Sequence, residues 1–411
     1  MVVKHLLLYI ITKSCLRIRM HYREYLRATG INILFTFCIY LYYPIISPYI
    51  KSMGLDDFQV GLIFSIMPLM MIFSSPIMGR LSDAIGRTNV IIFGLILEIS
   101  AMAMYIMGSC LWLIVLARIL DAVAVSALTL VIISKIEDNL SDKERGKYAG
   151  VSFSLAHIGA VIAPVIGGIL ADKIFVKFPF LLTAVILLVL SFRLAFKTRK
   201  VSKKVERKNF DFFGELKTFW SSRLLRGMGF LGFAMHATQP AMSVFLPLYL
   251  VEKLGLPYTY VGIAIFFLGV AHLFQFYFGR LSDKFGRTNL IMFGCFSFSL
   301  FMFLLSSTNT YWLILLFLFF QGVGGAIWNV SAWSLLSDVG EKIHKEGEVA
   351  GSYISIAKIG SFISYIFSGL IVQIYGIKIL FMFCALLIAV GMLVASFYFG
   401  THISLVVNAK K

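Results

Sequence analysis

The chain has 411 residues, of which 59% are hydrophobic and only 14% charged, against about half apolar and a quarter charged in a soluble domain. That composition excludes water as the main solvent. It also excludes the nucleic-acid reading that a net charge of +17 would carry in a soluble protein.

Residues 1–27 are basic and contain an apolar run, Val2 to Ile11, that superficially resembles a signal peptide. The run is too short to span and no small-residue cleavage site follows it, so an interfacial segment is expected, with Met1 or Met20 as the start. At roughly 20 residues per span, apolar stretches follow at 29–50, 58–78, 89–108, 112–134, 148–171 and 179–196, and then at 227–250, 259–278, 289–307, 312–335, 349–372 and 376–399. The expected fold is an all-α membrane protein of twelve spans, with six-helix bundles at 28–197 and 227–400. A basic linker at 198–226 separates them, and a tail at 401–411 ends the chain. Of 37 Lys and Arg residues, 29 fall before the first span, after the last, or in alternate loops. This asymmetry predicts a multi-pass plasma (inner) membrane protein with both termini cytoplasmic. Within the linker, Phe210 to Trp220 is expected to lie on the membrane as a short amphipathic helix.

Span 1 carries Tyr40, Tyr42 and Tyr43. The loop after span 2 reads Gly79-Arg-Leu-Ser-Asp83-Ala-Ile-Gly86-Arg87. Its glycines suit a tight turn and close helix approach, and Arg87 is within reach of Glu137 or Asp138 after span 4. Span 3 holds Glu98, either a structural acid bonded within its half or a proton site. Span 4 holds Arg118 and Asp121, three residues apart and so on one helical face. They are read either as a proton-coupling pair or as a permanently closed ion pair. Span 5 carries Gly150, Gly159, Pro164, Gly167 and Gly168, small residues that favour close backbone packing in lipid, with a bend at the proline. It also carries His157, a cavity residue or a packing histidine.

The second half repeats the first. Gly279-Arg-Leu-Ser-Asp283-Lys-Phe-Gly286-Arg287 stands 200 residues after the first loop, Asp338 answers Asp138, and Lys358 of span 11 answers His157 in a register shifted by one. Six spans per half is an even number, so the repeat is parallel and a substrate site belongs between the halves near the midplane. Polar mid-span residues are candidates for that site by default: Lys358, His236 and Gln239 on span 7, His272 on span 8, and Gln321, Trp328 and Asn329 on span 10, together with Tyr40 and Tyr43. Each aromatic is equally a packing residue. The cysteines stand singly, and no metal-ligand spacing, phosphate-cradling loop or nucleophile elbow occurs. No metal, no cofactor and no enzymatic activity are expected.

On these motifs the sequence resembles the major facilitator superfamily, whose hallmark is the G-x-L-a-D-x-x-G-R-r loop in one or both halves. The span 5 element is similar to the G-x8-G-x3-G-P-x2-G-G element of its proton-linked drug antiporters, with Ala163 in place of one glycine. The resemblance implies that Gly79, Asp83, Gly86, Arg87, Asp138, Gly279, Asp283, Gly286 and Arg287 form a conformational latch, with the loop acid meeting the start of span 11 in the outward-facing state. It implies that spans 1, 4, 7 and 10 line the cavity and that Arg118 is linked to proton transfer, although Asp121 and Ala122 depart from the family's amide and glycine there. The expected function is secondary transport by alternating access: export of small amphipathic or drug-like compounds by a monomer, with the proton as coupling ion. Asp121, Arg118, His157 and Glu98 would carry the coupling. The alternatives are uptake of a sugar or organic anion, with Arg118 and Lys358 as anion ligands, and a nontransporting sensor or lipid-handling protein.

Overall fold

The structure is a computed structural model that describes residues 23–108, 110–138, 140, 142–196 and 212–408. Helices account for nearly all of it. The first half comprises α1 (Arg23–Lys51), α2 (Asp57–Ile85), α3 (Arg87–Met107), α4 (Leu111–Glu137), α5 (Asp142–Lys173) and α6 (Phe178–Ala195). A short helix, α7 (Phe212–Ser221), leads into the second half. That half comprises α8 (Arg223–Lys253), α9 (Tyr258–Phe285), α10 (Arg287–Leu305), α11 (Tyr311–Lys342), α12 (Glu346–Tyr375) and α13 (Ile377–Asn408). The interfacial reading of residues 1–22 and most of the linker, 197–211, lie outside the described residues.

Among the described residues, eleven helices are long and apolar enough to cross a membrane by length and composition. The seventh traverse, α8, is helical throughout most of its length but irregular. Its first α-helical stretch ends at Ala237, and π-turns over Ala241–Phe245 and Tyr249–Lys253 flank a short α-helical piece, Leu246–Leu248. Pro240 and Pro247 lack the N–H that a regular ladder needs, and wider turns accommodate the loss. The twelve-span reading is therefore met, among the described residues, by eleven helices long and apolar enough to cross and by the irregular α8.

Two glycines set the corners at the basic-loop end. Only Gly86 separates α2 from α3, and only Gly286 separates α9 from α10. Their φ values of 95° and 90° lie where an L side chain is strained. The opposite end is built differently in the two halves. α2 begins with a capping box of its own, in which Asp56 accepts from the Gln59 amide at 2.7 Å and the Gln59 side chain accepts from the Asp56 amide at 3.0 Å. α9 begins after Pro257, which has no side-chain cap to offer.

The buried core shows how the halves meet. At the opposite end one continuous cluster joins them, with Tyr49, Tyr105 and Phe180 from the first half and Phe245, Tyr249 and Phe381 from the second. At the basic-loop end each half keeps a separate core, around Leu95 and Leu128 in one and around Met228 and Trp328 in the other. The two bundles thus form a wedge, sealed at one end and open at the basic-loop end. α7 folds near its expected place, yet its Phe219 is fully buried in the second half's core and is not left for lipid.

Candidate functional site

Two groups of polar side chains lie at mid-membrane depth. The first is enclosed within the first half. Arg118 Nη1 donates to Asp121 Oδ2 at 3.0 Å, and Tyr105 donates to the same oxygen at 3.1 Å. From α1, Tyr42 donates to Glu98 Oε1 at 3.2 Å. The Arg118 guanidinium stands 4.3 Å from the ring centre of Phe64, and Phe64 stacks on Tyr365 of the second half with centroids 6.3 Å apart. Glu98 and Asp121 are fully buried. Glu98 Oε2, Asp121 Oδ1 and Arg118 Nε have no hydrogen-bond partner among the described residues. Asp121 thus takes the one guanidinium, and Glu98, bonded by Tyr42, is left without a counter-charge of its own. A buried, unmatched charge is costly, so this group is sensitive to the arrival or loss of a proton.

The second group crosses between the halves. His157 of α5 faces His272 of α9 with parallel rings, centroids 6.4 Å apart. On the other side of the interface, Lys358 Nζ of α12 approaches Met71 Sδ of α2 at 3.6 Å. The two contacts are mates in the repeat, because α5 with α9 and α12 with α2 are equivalent pairs of helices. His272 falls in a 3-10 turn, Ala271–Phe274, that interrupts α9. His236 lies beside Trp328, with centroids 5.7 Å apart, and beside Tyr353 at 6.2 Å. Gln239 Oε1 accepts from Ser361 at 3.0 Å.

The structure separates residues that sequence grouped. His157 makes no bond with Arg118 or Asp121 among the described residues, whereas Glu98 joins their group. Gln321 is fully buried and donates to Met302 Sδ at 3.1 Å, inside the second half and away from the interface. Tyr40 and Tyr43 pack together at 5.5 Å, Asn329 is half-buried, and Tyr42 is committed to Glu98. A groove of about 830 Å³ between α10 and α13 is lined by exposed apolar residues such as Phe296 and Leu386 and carries no charged side chain.

The loop residues form matching intra-half networks. Arg87 pairs with Asp83 at 2.6 Å and with Asp138 at 3.1 Å. Arg287 pairs with Asp283 at 3.6 Å and with Asp338 at 2.6 Å. Asp83 makes no bond to the start of α12 among the described residues, in keeping with an open basic-loop end. For the same reason a Cβ on Gly79 or Gly150 would meet nothing within 4 Å, so neither supports close packing here. Gly279 has only Val330 nearby.

At the sealed end the span 5 element divides its work. Gly159 and Gly167 lie against α1, Gly167 directly on the Leu41 carbonyl. Gly168 lies instead on the Tyr258 and Thr259 backbone of α9, and Gly262 of α9 lies on the Pro164 carbonyl. Gly369 of α12 makes the corresponding approach to Asp57 and Phe58 of α2, and Gly61 to Tyr365. One polar contact has no mate among the described residues. Asp172 of α5 accepts from the amides of Tyr258 and Thr259, at 3.0 and 2.7 Å, and from the Thr259 hydroxyl at 2.6 Å. Sequence reasoning missed Asp172. The one available signal was Pro257, a helix start with no cap of its own.

The family model described as the Major Facilitator Superfamily matches residues 28–274 and 263–409. An uncharacterized transporter of that type from Methanocaldococcus jannaschii is 28% identical over 365 residues, covering 85% of this chain and 92% of its own. The class H tetracycline resistance protein of Pasteurella multocida is 24% identical over 314 residues, covering 73% and 76%. The crystal structure of a nucleoside transporter, NupG, superposes with a TM-score of 0.75 at 13% identity, over 92% of this chain and 99% of that one. With its two parallel bundles, repeated loops and these matches, the chain belongs to the Major Facilitator Superfamily, a family of membrane transporters and not of enzymes.

Proposed function

We propose that this transporter exports small amphipathic compounds from the cytoplasm across the plasma (inner) membrane in exchange for protons, as a monomer with both termini inside. The observation that carries the reading is the enclosed group of Glu98, Asp121 and Arg118. Two acids with one counter-charge bind or release a proton whenever the hydration around them changes. The resistance function in the name of the Pasteurella relative supports the export direction. Under this reading the wedge is open to the cytoplasm, and the bundles 28–197 and 227–400 rock as units about the mid-membrane contacts. A proton favours whichever state binds it more tightly. In the opposite state Asp83 would meet the start of α12 while Arg87 holds Asp138, which is the latch that the family resemblance implies.

An uptake reading in which Arg118 serves as an anion ligand has less support, because its guanidinium is already engaged by Asp121. The deciding experiment is flux in everted vesicles under an imposed pH gradient. Asp121→Asn should abolish gradient-driven movement of a fluorescent amphipathic substrate while the protein remains monodisperse. Undiminished flux in that variant would remove Asp121 from the coupling step.

A further inference from the structure

The contact between α2 and α12 passes directly beside the buried Arg118–Asp121 pair. Gly61 of α2 lies so near α12 that a Cβ there would fall 2.5 Å from the Tyr365 carbonyl, so the two backbones meet with no side chain between them. Phe64 follows about one turn further along α2. Its ring centre is 4.3 Å from the Arg118 guanidinium, and it stacks with the Tyr365 ring at 6.3 Å with 24° between the planes. Phe64 and Tyr365 are both buried in the cluster that joins the halves at the sealed end.

Tyr365 is itself held in place. Its hydroxyl lies 2.9 Å from Ser243 Oγ, within the first π-turn of α8. Ser47 of α1 donates to the carbonyl of the next residue in that turn, Val244, at 3.0 Å. A π-turn departs from the regular ladder, and such departures recur at functional positions. A continuous series of buried contacts therefore runs from Asp121 through Arg118, Phe64 and Tyr365 to the irregular stretch of α8. It crosses from one half to the other between the two rings.

The repeat does not reproduce this series. Leu318 stands where the first half has Arg118, and Pro164 stands where the second has Tyr365. The equivalent contact of α5 with α9 thus has neither the charge nor the ring. The titratable groups that face the Arg118–Asp121 pair are Glu98 and Tyr105 of α3, Tyr42 and Tyr43 of α1 and Tyr365 of α12, with Cys38 of α1 beside Glu98. α2 and α6 bring the rings of Phe64 and Phe180. The pull of a guanidinium on an aromatic face depends on how far a carboxylate already balances its charge, and it is strongest where water is excluded. A change of charge on Asp121 is therefore felt at Phe64, and Phe64 rests on the other half.

We propose that Tyr365, acting through Phe64, is the positioning residue by which the second half responds to the charge of the Arg118–Asp121 pair. The assignment rests on the transporter reading above but not on its direction or on the proton as coupling ion. The ring of Tyr365 carries the contact, and the Ser243 bond fixes how that ring is presented. Parting the sealed end separates Phe64 from Tyr365, so the balance between sealed and open depends on what Arg118 does to Phe64. The device is one-sided, since the other interface between the halves lacks its parts.

A double-mutant cycle on the full-length protein in nanodiscs tests it. Spin labels at Lys173 and Lys253 report the ratio of open to sealed molecules in wild type, Asp121→Asn, Tyr365→Leu and the double variant at one pH. Asp121 and Tyr365 share no direct contact, so independent effects would multiply. The expected result is that Asp121→Asn shifts the ratio in wild type, and that the double variant departs from the product of the single effects by about fivefold or more. Tyr365→Phe keeps the ring, and in that background Asp121→Asn should again act within about twofold of its effect in wild type. Should Tyr365→Leu misfold, Phe64→Leu takes its place in the cycle with the same expectation. The proposal is overturned if Asp121→Asn shifts the ratio equally with and without the ring, or does not shift it at all. Repeating wild type and Tyr365→Leu across pH separates the two readings. A wild-type ratio that ignores pH while the cycle shows coupling removes the proton reading and leaves this assignment standing. A pH response that Tyr365→Leu leaves unchanged does the reverse.

Discussion

Asp172 caps the helix whose first turn holds Thr259. Its Oδ2 lies 2.7 Å from the Thr259 amide and 2.6 Å from the Thr259 hydroxyl, although the two residues belong to different halves. The first turn of a helix leaves orphan amides, and α9 starts after a proline with no capping side chain. Opening the sealed end thus uncaps α9. The mirror-image opening does not uncap α2, which carries its own box at Asp56 and Gln59.

An exposed N-cap contributes about 1 kcal/mol, roughly a fivefold change in an equilibrium. Asp172→Ala should therefore move the population toward opening at this end by about that factor. Distances between spin labels placed at Lys173 and Lys253 on the two halves will report it as a growing long component. An unchanged distribution would reduce Asp172 to surface decoration.

The glycines of α5 should respond by position. A Cβ on Gly168 would collide with the Tyr258 carbonyl of α9, so Gly168→Ala should hinder closure of this end and slow transport. Gly150 has open space around it, and Gly150→Ala should raise stability by about 0.5–1 kcal/mol through helix propensity alone. Thermal unfolding and flux measured side by side separate the two outcomes.

Removing one partner of the buried pair leaves the other charge stranded. Arg118→Ala should destabilise the protein by about 3–5 kcal/mol. The double variant Arg118→Leu with Asp121→Leu should recover much of that stability while losing pH-driven flux. If the double variant still transports under a pH gradient, the pair is structural only.

The loop pairs are a different case, being surface contacts within each half. Arg87→Gln should change stability by less than about 1 kcal/mol, yet reduce flux by about tenfold if the latch forms in the other state. A large loss of stability with normal flux would make Arg87 a turn-setting residue.

Hydropathy alone located the spans, because apolar length is a local property that lipid demands of every crossing. The duplicated loops were equally legible. Gly86 and Gly286 stand where the chain turns with positive φ, a requirement that only their residue type meets cheaply. The irregularity of α8 was harder to see, since Pro240 and Pro247 mark a disturbance but do not say that wider turns absorb it. The pairing of Arg118 with Asp121 was visible as a three-residue spacing on one helix.

What the sequence could not reveal lies between helices. Glu98 of α3 is bonded by Tyr42 of α1, and Asp172 meets Thr259 across 87 residues and two bundles. Gln321 has the same polar character as the interface residues, yet it faces Met302 inside its own half. The sequence by itself determined the membrane, the twelve traverses, the parallel repeat and the superfamily, because composition and local spacing carry them. Tertiary structure decided which end is sealed, which buried carboxylate has no counter-charge of its own, and which lysine is left with only a weak acceptor, because these depend on how helix faces are rotated against one another.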